Sequence, residues 1–228
     1  SCPLPRQPRP PAPGGAAESP LARQPPMDGL PPRDAPEDLD LGQVAEQLRL
    51  LRLVSQQRRY AGRPVPRLPV RAEITDLLAG LIAALYPRHY GPSGLPPDRT
   101  DGYVVALLPA LRERLARQVE LEFLLTVDAE PADCHDRARQ TADRVMGALP
   151  RIRDLHDTDI AAAYAGDPSA KSLDEIVFCY PGVAAALRHR IAHELYGAGA
   201  TMIARIMAEH SHSVTGIDIH PGARIGPA

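Results

Sequence analysis

Tryptophan is absent from the 228 residues and phenylalanine occurs twice, so any core must be built on aliphatic side chains. The three cysteines, Cys2, Cys134 and Cys179, form no CxxC pair. They give neither a disulfide framework nor a zinc knuckle, and a reducing compartment, the cytoplasm, is the expected location. Charge of one sign is also missing. With 26 basic and 28 acidic side chains the formal net charge is -2, and Lys and Arg are spread along the chain, so there is no basic field of the kind nucleic acid requires. No apolar run is long enough to span a bilayer, and the N-terminus lacks the apolar stretch of a secretory signal. Neither a nucleic-acid partner nor a membrane is expected.

Proline is abundant but unevenly placed, with 12 of 26 in the first 40 residues. The stretch "SCPLPRQPRPPAPGGAAESPLARQPP" has almost no large apolar residue and cannot offset its ordering entropy. Residues 1–37 are therefore expected to be a disordered leader, with Met27 a candidate natural start.

From Asp38 the pattern is helical. Leu41, Val44, Leu48 and Leu51 share one face, and Arg49, Arg52, Arg58 and Arg59 mostly occupy the rest. Ile74, Leu77, Leu78, Leu81, Ile82 and Leu85 form the stripe of a second helix. A third is expected from Thr100 or Asp101, with Pro109 predicting a kink or a later start. Pro131 suits the first turn of a fourth helix running to Leu149. A fifth is expected from Pro150 to Ala165, closed by Gly166 at a positive φ. Ser172 to Glu175, "SLDE", has capping-box spacing. Pro181 opens another helix with Gly197 as its cap, and Ile203, Ile206 and Met207 mark the last. Cys179, in an apolar helix, reads as a buried small hydrophobe.

The chain closes on "TGIDIHPGARIGPA", in which Ile219 and Ile225 are six residues apart, each followed closely by Gly or Pro. A six-residue step opened by an aliphatic side chain is the pattern of a left-handed parallel β-helix. The expected fold class is mainly α. A multi-helix N-terminal domain, residues 38–212, is followed at 213–228 by the first, incomplete coil of a left-handed parallel β-helix.

Asp159, "GDP", "YPG", "RIAH" and "TGIDIHPGA" occur in that order. Together with the run from Leu149 to Tyr196 and the "LP...ALYPRHYG" stretch, they make residues 68–228 closely similar to the serine acetyltransferase family. The branch it resembles is the bacterial one with a long helical N-terminal region. The resemblance implies transfer of acetyl from acetyl-CoA to the hydroxyl of L-serine, giving O-acetylserine for cysteine biosynthesis. Acetyl-CoA is then a co-substrate, and no tightly bound cofactor or metal is implied. It also implies a homo-oligomer, a trimer or dimer of trimers, and docking of an O-acetylserine sulfhydrylase through the far C-terminus. The catalytic histidine and its aspartate partner are expected beyond Ala228, so the chain reads as an inactive N-terminal portion.

Among the residues present, the resemblance points to Asp167 of "GDP" as a ligand for the ammonium group of serine; the alternative is a helix-terminating turn. Asp159 is a weaker candidate for a second contact, or a hydrogen-bond partner of a neighbouring basic residue. His189 and His193 are four apart, a spacing that suits two metal ligands, but "HRIAHE" lacks the HExxH glutamate and a third ligand, which favours packing. Two further functional readings stay open: a non-catalytic helical oligomerisation or binding module, and a hexapeptide acyltransferase with another acceptor.

Overall fold

The computed structural model describes residues 39–126 and 130–228, so the leader expected at 1–37 lies outside the described residues. The described residues divide into two units, residues 39–62 and 63–228. In the first, α1 (Leu41–Tyr60) begins where the Asp40 carboxylate accepts hydrogen bonds from the Gly42 amide at 2.8 Å and the Gln43 amide at 3.3 Å. These satisfy two of the amides that a helix start leaves without partners. The predicted apolar stripe is present but unburied, with Leu41 69% and Leu51 65% exposed.

In the second unit, α2 (Arg71–Leu85) buries Ile74, Leu77, Leu78 and Leu81, as their spacing predicts. A short α3 (Pro87–Tyr90) and a 3₁₀ turn (Pro97–Arg99) lead into α4 (Thr100–Phe123). The remaining helices are α5 (Pro131–Gly166), α6 (Leu173–Cys179), α7 (Pro181–Gly197) and α8 (Thr201–Thr215). Packing of α2 on α4, α4 on α5, α5 on α7 and α7 on α8 encloses one continuous aliphatic core. At Gly80 a Cβ would lie 2.6 Å from Leu111 Cδ2, so the glycine lets α2 approach α4 closely.

One proline expectation is corrected. Residues 131–166 form one helix that runs through Pro150, where two helices were expected. The stripe Val145, Leu149, Ile152, His156 and Ile160 is buried on both sides of the proline. Continuous packing on α4 and α7 therefore outweighs the roughly 3 kcal/mol that an interior proline costs. At Pro109 the later start is not taken: α4 begins at Thr100, one of the two expected positions, and continues through the proline. Val105, whose carbonyl loses its usual partner there, is 71% exposed, so water can supply one.

The expected glycine stop at Gly166 is also replaced. No positive φ occurs there; Asp167 takes an extended conformation (φ -118°, ψ 100°). Pro168 imposes this, because its ring disfavours helical geometry in the residue before it. Gly197 ends α7, but the positive φ comes two residues later at Gly199. Gly216 does cap α8 in the left-handed region, with φ 71° and its amide donating to His212 O at 2.8 Å. Half of the capping box forms: Ser172 Oγ accepts from the Glu175 amide at 3.1 Å, while Glu175 reaches past the N-cap amide to that of Lys171, at 2.7 Å. Cys179 is exposed, contrary to expectation, because α6 buries Ile176 and Val177 and turns its last residues outward.

After Gly216 the backbone forms a turn at 220–223, with the Ala223 amide donating to His220 O at 2.9 Å. Among the described residues there is no β-strand, and no helix is long and apolar enough to cross a membrane.

Candidate functional site

Asp167 is the first residue past α5, held out of the helix by Pro168. Its Oδ1 accepts from the Ser169 amide at 2.9 Å and the Ser169 hydroxyl at 2.7 Å. Its Oδ2 accepts the Tyr180 hydroxyl at 2.5 Å, from the residue that precedes α7. Three donors on one carboxylate favour its ionised form. The Tyr180 bond, then the two from Ser169, hold Asp167 below the usual carboxylate range, and the same bond pushes the Tyr180 phenol up. The loop thus presents a fixed anion at the junction of α5, α6 and α7.

Asp159, two turns earlier on α5, has a different partner. Arg190 of α7 donates from Nε to Oδ2 at 2.9 Å and from Nη2 to Oδ1 at 2.8 Å. Both side chains are enclosed, 12% and 5% exposed. Arg190 also donates to the Ile225 carbonyl at 3.2 Å and the Gly226 carbonyl at 2.9 Å. Hydrogen bonding to a basic residue, one of the two readings of Asp159, is what the geometry shows. The structure gives the two aspartates separate sets of partners.

The histidines of α7 face the C-terminal segment. His193 Nδ1 lies 2.8 Å from the Pro221 carbonyl, and an acceptor there requires that Nδ1 carry the proton. His189 is buried with its ring centre 5.7 Å from that of His193, and its Nδ1 has no hydrogen-bond partner. Burial, with the neighbouring His193 and Arg190 charges, pushes His189 down to about 4. The His220 ring meets Tyr196 edge-on at 5.4 Å. Among the described residues no three His, Cys, Asp or Glu side chains cluster to hold a metal. A cleft of 240 Å³ lies beside these rings, lined by Arg151, His189, Arg190, His193 and Arg224 among others.

A second polar network was missed by sequence reasoning. The Tyr86 hydroxyl sits 2.6 Å from His156 Nδ1 and 2.8 Å from Asp157 Oδ1, and His156 Nε2 sits 2.9 Å from the Val183 carbonyl. The Arg153 guanidinium stacks 3.8 Å from the Tyr86 ring centre and donates to the Leu85 carbonyl. Burial, then the Asp157 contact, raises Tyr86 above its ordinary range, and burial lowers His156. The one available signal was spacing: Ile152, His156 and Ile160 step by four, which puts a histidine on the buried stripe of α5.

No protein-family model matches the sequence. A serine acetyltransferase, plasmid, of Synechococcus elongatus is 44% identical over 165 residues, covering 70% of this chain and 52% of that protein. Among solved structures, the native serine acetyltransferase 1 of Entamoeba histolytica aligns with a TM-score of 0.55 at 29% identity, over 81% of this chain and 63% of that one. The same Entamoeba enzyme in complex with L-cysteine aligns equally well, with a TM-score of 0.55 at 29% identity over 81% of this chain and 62% of that one. The chain therefore spans about half the length of the Synechococcus relative.

Proposed function

This chain belongs to the serine acetyltransferase family, and we propose that the protein transfers the acetyl group of acetyl-CoA to the hydroxyl of L-serine. The observation that carries this reading is the 44% identity to the Synechococcus enzyme over 165 residues. In the proposed reaction the serine hydroxyl loses its proton to a general base and attacks the thioester carbonyl, and the tetrahedral species collapses to CoA and O-acetylserine. Acetyl-CoA acts as a co-substrate and no cofactor is tightly bound.

In this reading Asp167 receives the ammonium group of serine. A carboxylate held ionised by three donors suits a charge-assisted hydrogen bond to a cation. Asp159, with both oxygens taken by Arg190, serves at one remove by fixing α5 on α7. His189, His193 and His220 are not assigned as the base, because their contacts belong to the packing of α7 against residues 220–223. That the Entamoeba enzyme forms a complex with L-cysteine supports a site for a small amino acid.

The finer architecture follows the same reading. Residues 216–228, past the end of α8, begin a left-handed parallel β-helix, and the protein works in the cytoplasm as a trimer or dimer of trimers. An O-acetylserine sulfhydrylase is its partner. The test is serine-dependent release of CoA, measured on a chimera in which residues 68–228 of this chain replace their counterpart in the Synechococcus enzyme. The chimera is expected to be active and its Asp167→Asn form to lose serine turnover. A folded chimera that releases no CoA would sink the proposal.

A further inference from the structure

A carboxylate offers about four lone-pair positions, and three of Asp167's are taken. Both on Oδ1 go to Ser169, through its amide at 2.9 Å and its hydroxyl at 2.7 Å. On Oδ2 one goes to the Tyr180 hydroxyl, 2.5 Å away. One position is left, on Oδ2, beside a phenol oxygen whose proton is already committed to the aspartate. That oxygen can only accept. The pair therefore offers two adjacent acceptors and no donor, with the negative charge on one of them.

We propose that Tyr180 has two roles, turning Asp167 through the bond to Oδ2 and lending its own oxygen, so that the free Oδ2 lone pair and the Tyr180 oxygen together receive a primary ammonium group. The inference rests on the reading of Asp167 as an amino-acid contact and adds the residue that sets its geometry. A guanidinium fork is a poor match, because it needs both carboxylate oxygens open. An acylated amine is also a poor match: it carries no charge and has a single N–H for two acceptors. The slot selects a free α-ammonium. Ser169 acts mainly on Oδ1 and its hydroxyl also reaches Tyr180, but it does not touch Oδ2, so Ser169→Ala leaves the Tyr180–Oδ2 bond in place and Tyr180→Phe removes it.

The experiment follows the Asp167 side-chain carboxyl by ¹³C NMR in the 228-residue chain, as pH is varied and as L-serine or N-acetyl-L-serine is added. In the wild-type chain the Asp167 midpoint lies below the usual carboxylate range. Both Tyr180→Phe and Ser169→Ala move it upward, with backbone shifts elsewhere unchanged. L-serine perturbs the resonance and N-acetyl-L-serine does not. Loss of one charge-assisted contact weakens L-serine roughly tenfold in Tyr180→Phe, while Ser169→Ala, which keeps the Tyr180–Oδ2 bond, weakens it less.

A Tyr180→Phe chain with an unmoved Asp167 midpoint overturns the positioning role. Equal binding of the acetylated amine overturns the ammonium slot. If the wild-type carboxyl ignores L-serine while Tyr180→Phe still shifts the midpoint, the amino-acid reading itself is overturned, independently of the tyrosine.

Discussion

Arg190 and Asp159 form a two-point ion pair, at 2.9 and 2.8 Å, between α7 and α5, and the same guanidinium holds the carbonyls of Ile225 and Gly226. One side chain thus ties two helices and the C-terminal segment together. A buried pair contributes little when both partners could be replaced by apolar groups, but removing one partner strands the other charge. Asp159→Ala is expected to lower unfolding free energy by about 3–5 kcal/mol, read from urea denaturation. Arg190→Ala should also abolish hydrogen-exchange protection around residues 217–226, whereas a pair without structural importance would leave both measurements unchanged.

His189 makes stability depend on pH in one direction. Its folded value is about 4 against an ordinary 6.5, lowered first by burial and then by His193, Arg190 and His220. The unfolded chain therefore binds more protons than the folded one between those values, and stability falls as pH drops through that window. Above about 6.5 the contribution is fully present and flat. The loss by pH 4 is at most about 3 kcal/mol. Urea midpoints measured from pH 7 to pH 4 should fall less steeply in His189→Asn than in the wild type; parallel curves would refute the assignment.

Glu122 of α4 supplies a long-range helix cap. Its two oxygens accept from the Met202 amide at 2.8 Å and the Ile203 amide at 2.9 Å, at the start of α8, where Ala200 has no capping side chain. Glu122→Ala should cost about 1–2 kcal/mol, the usual value of a lost N-cap, and lower Tm by a few degrees. Glu122→Gln keeps one acceptor oxygen and should recover part of the loss. Thermal denaturation of the three proteins checks the order.

Helices were legible in the sequence where a 3.6-residue period ran unbroken, as in Ile74, Leu77, Leu78 and Leu81, all buried. Boundaries were not, when a proline competed with a long stripe: Pro150 was read as a start, yet the stripe through Leu149 and Ile152 continues across it. Gly166 was read as a left-handed stop, while the stop comes from Pro168 acting on Asp167. Asp167 could be singled out because its motif is local. Its partner Tyr180, 13 residues away, and the Arg190 partner of Asp159, 31 away, depend on which helices touch. Spacing along one helix carries no such information.

The Tyr86–His156 contact is the extreme case, at 70 residues of separation, and its proton count can be tested. The Val183 carbonyl beside Nε2 only accepts, so Nε2 carries the proton and Nδ1 of the neutral ring is an acceptor. The Tyr86 hydroxyl, with one proton, faces that nitrogen and Asp157 Oδ1 together. Replacing it leaves a buried Nδ1 with no donor, which costs about 1–3 kcal/mol. Tyr86→Phe is expected to lose that much in urea denaturation, and ¹⁵N NMR of the wild type at neutral pH should show His156 protonated on Nε2 alone. A ring protonated on Nδ1 would reverse the direction of the bond and refute the arrangement.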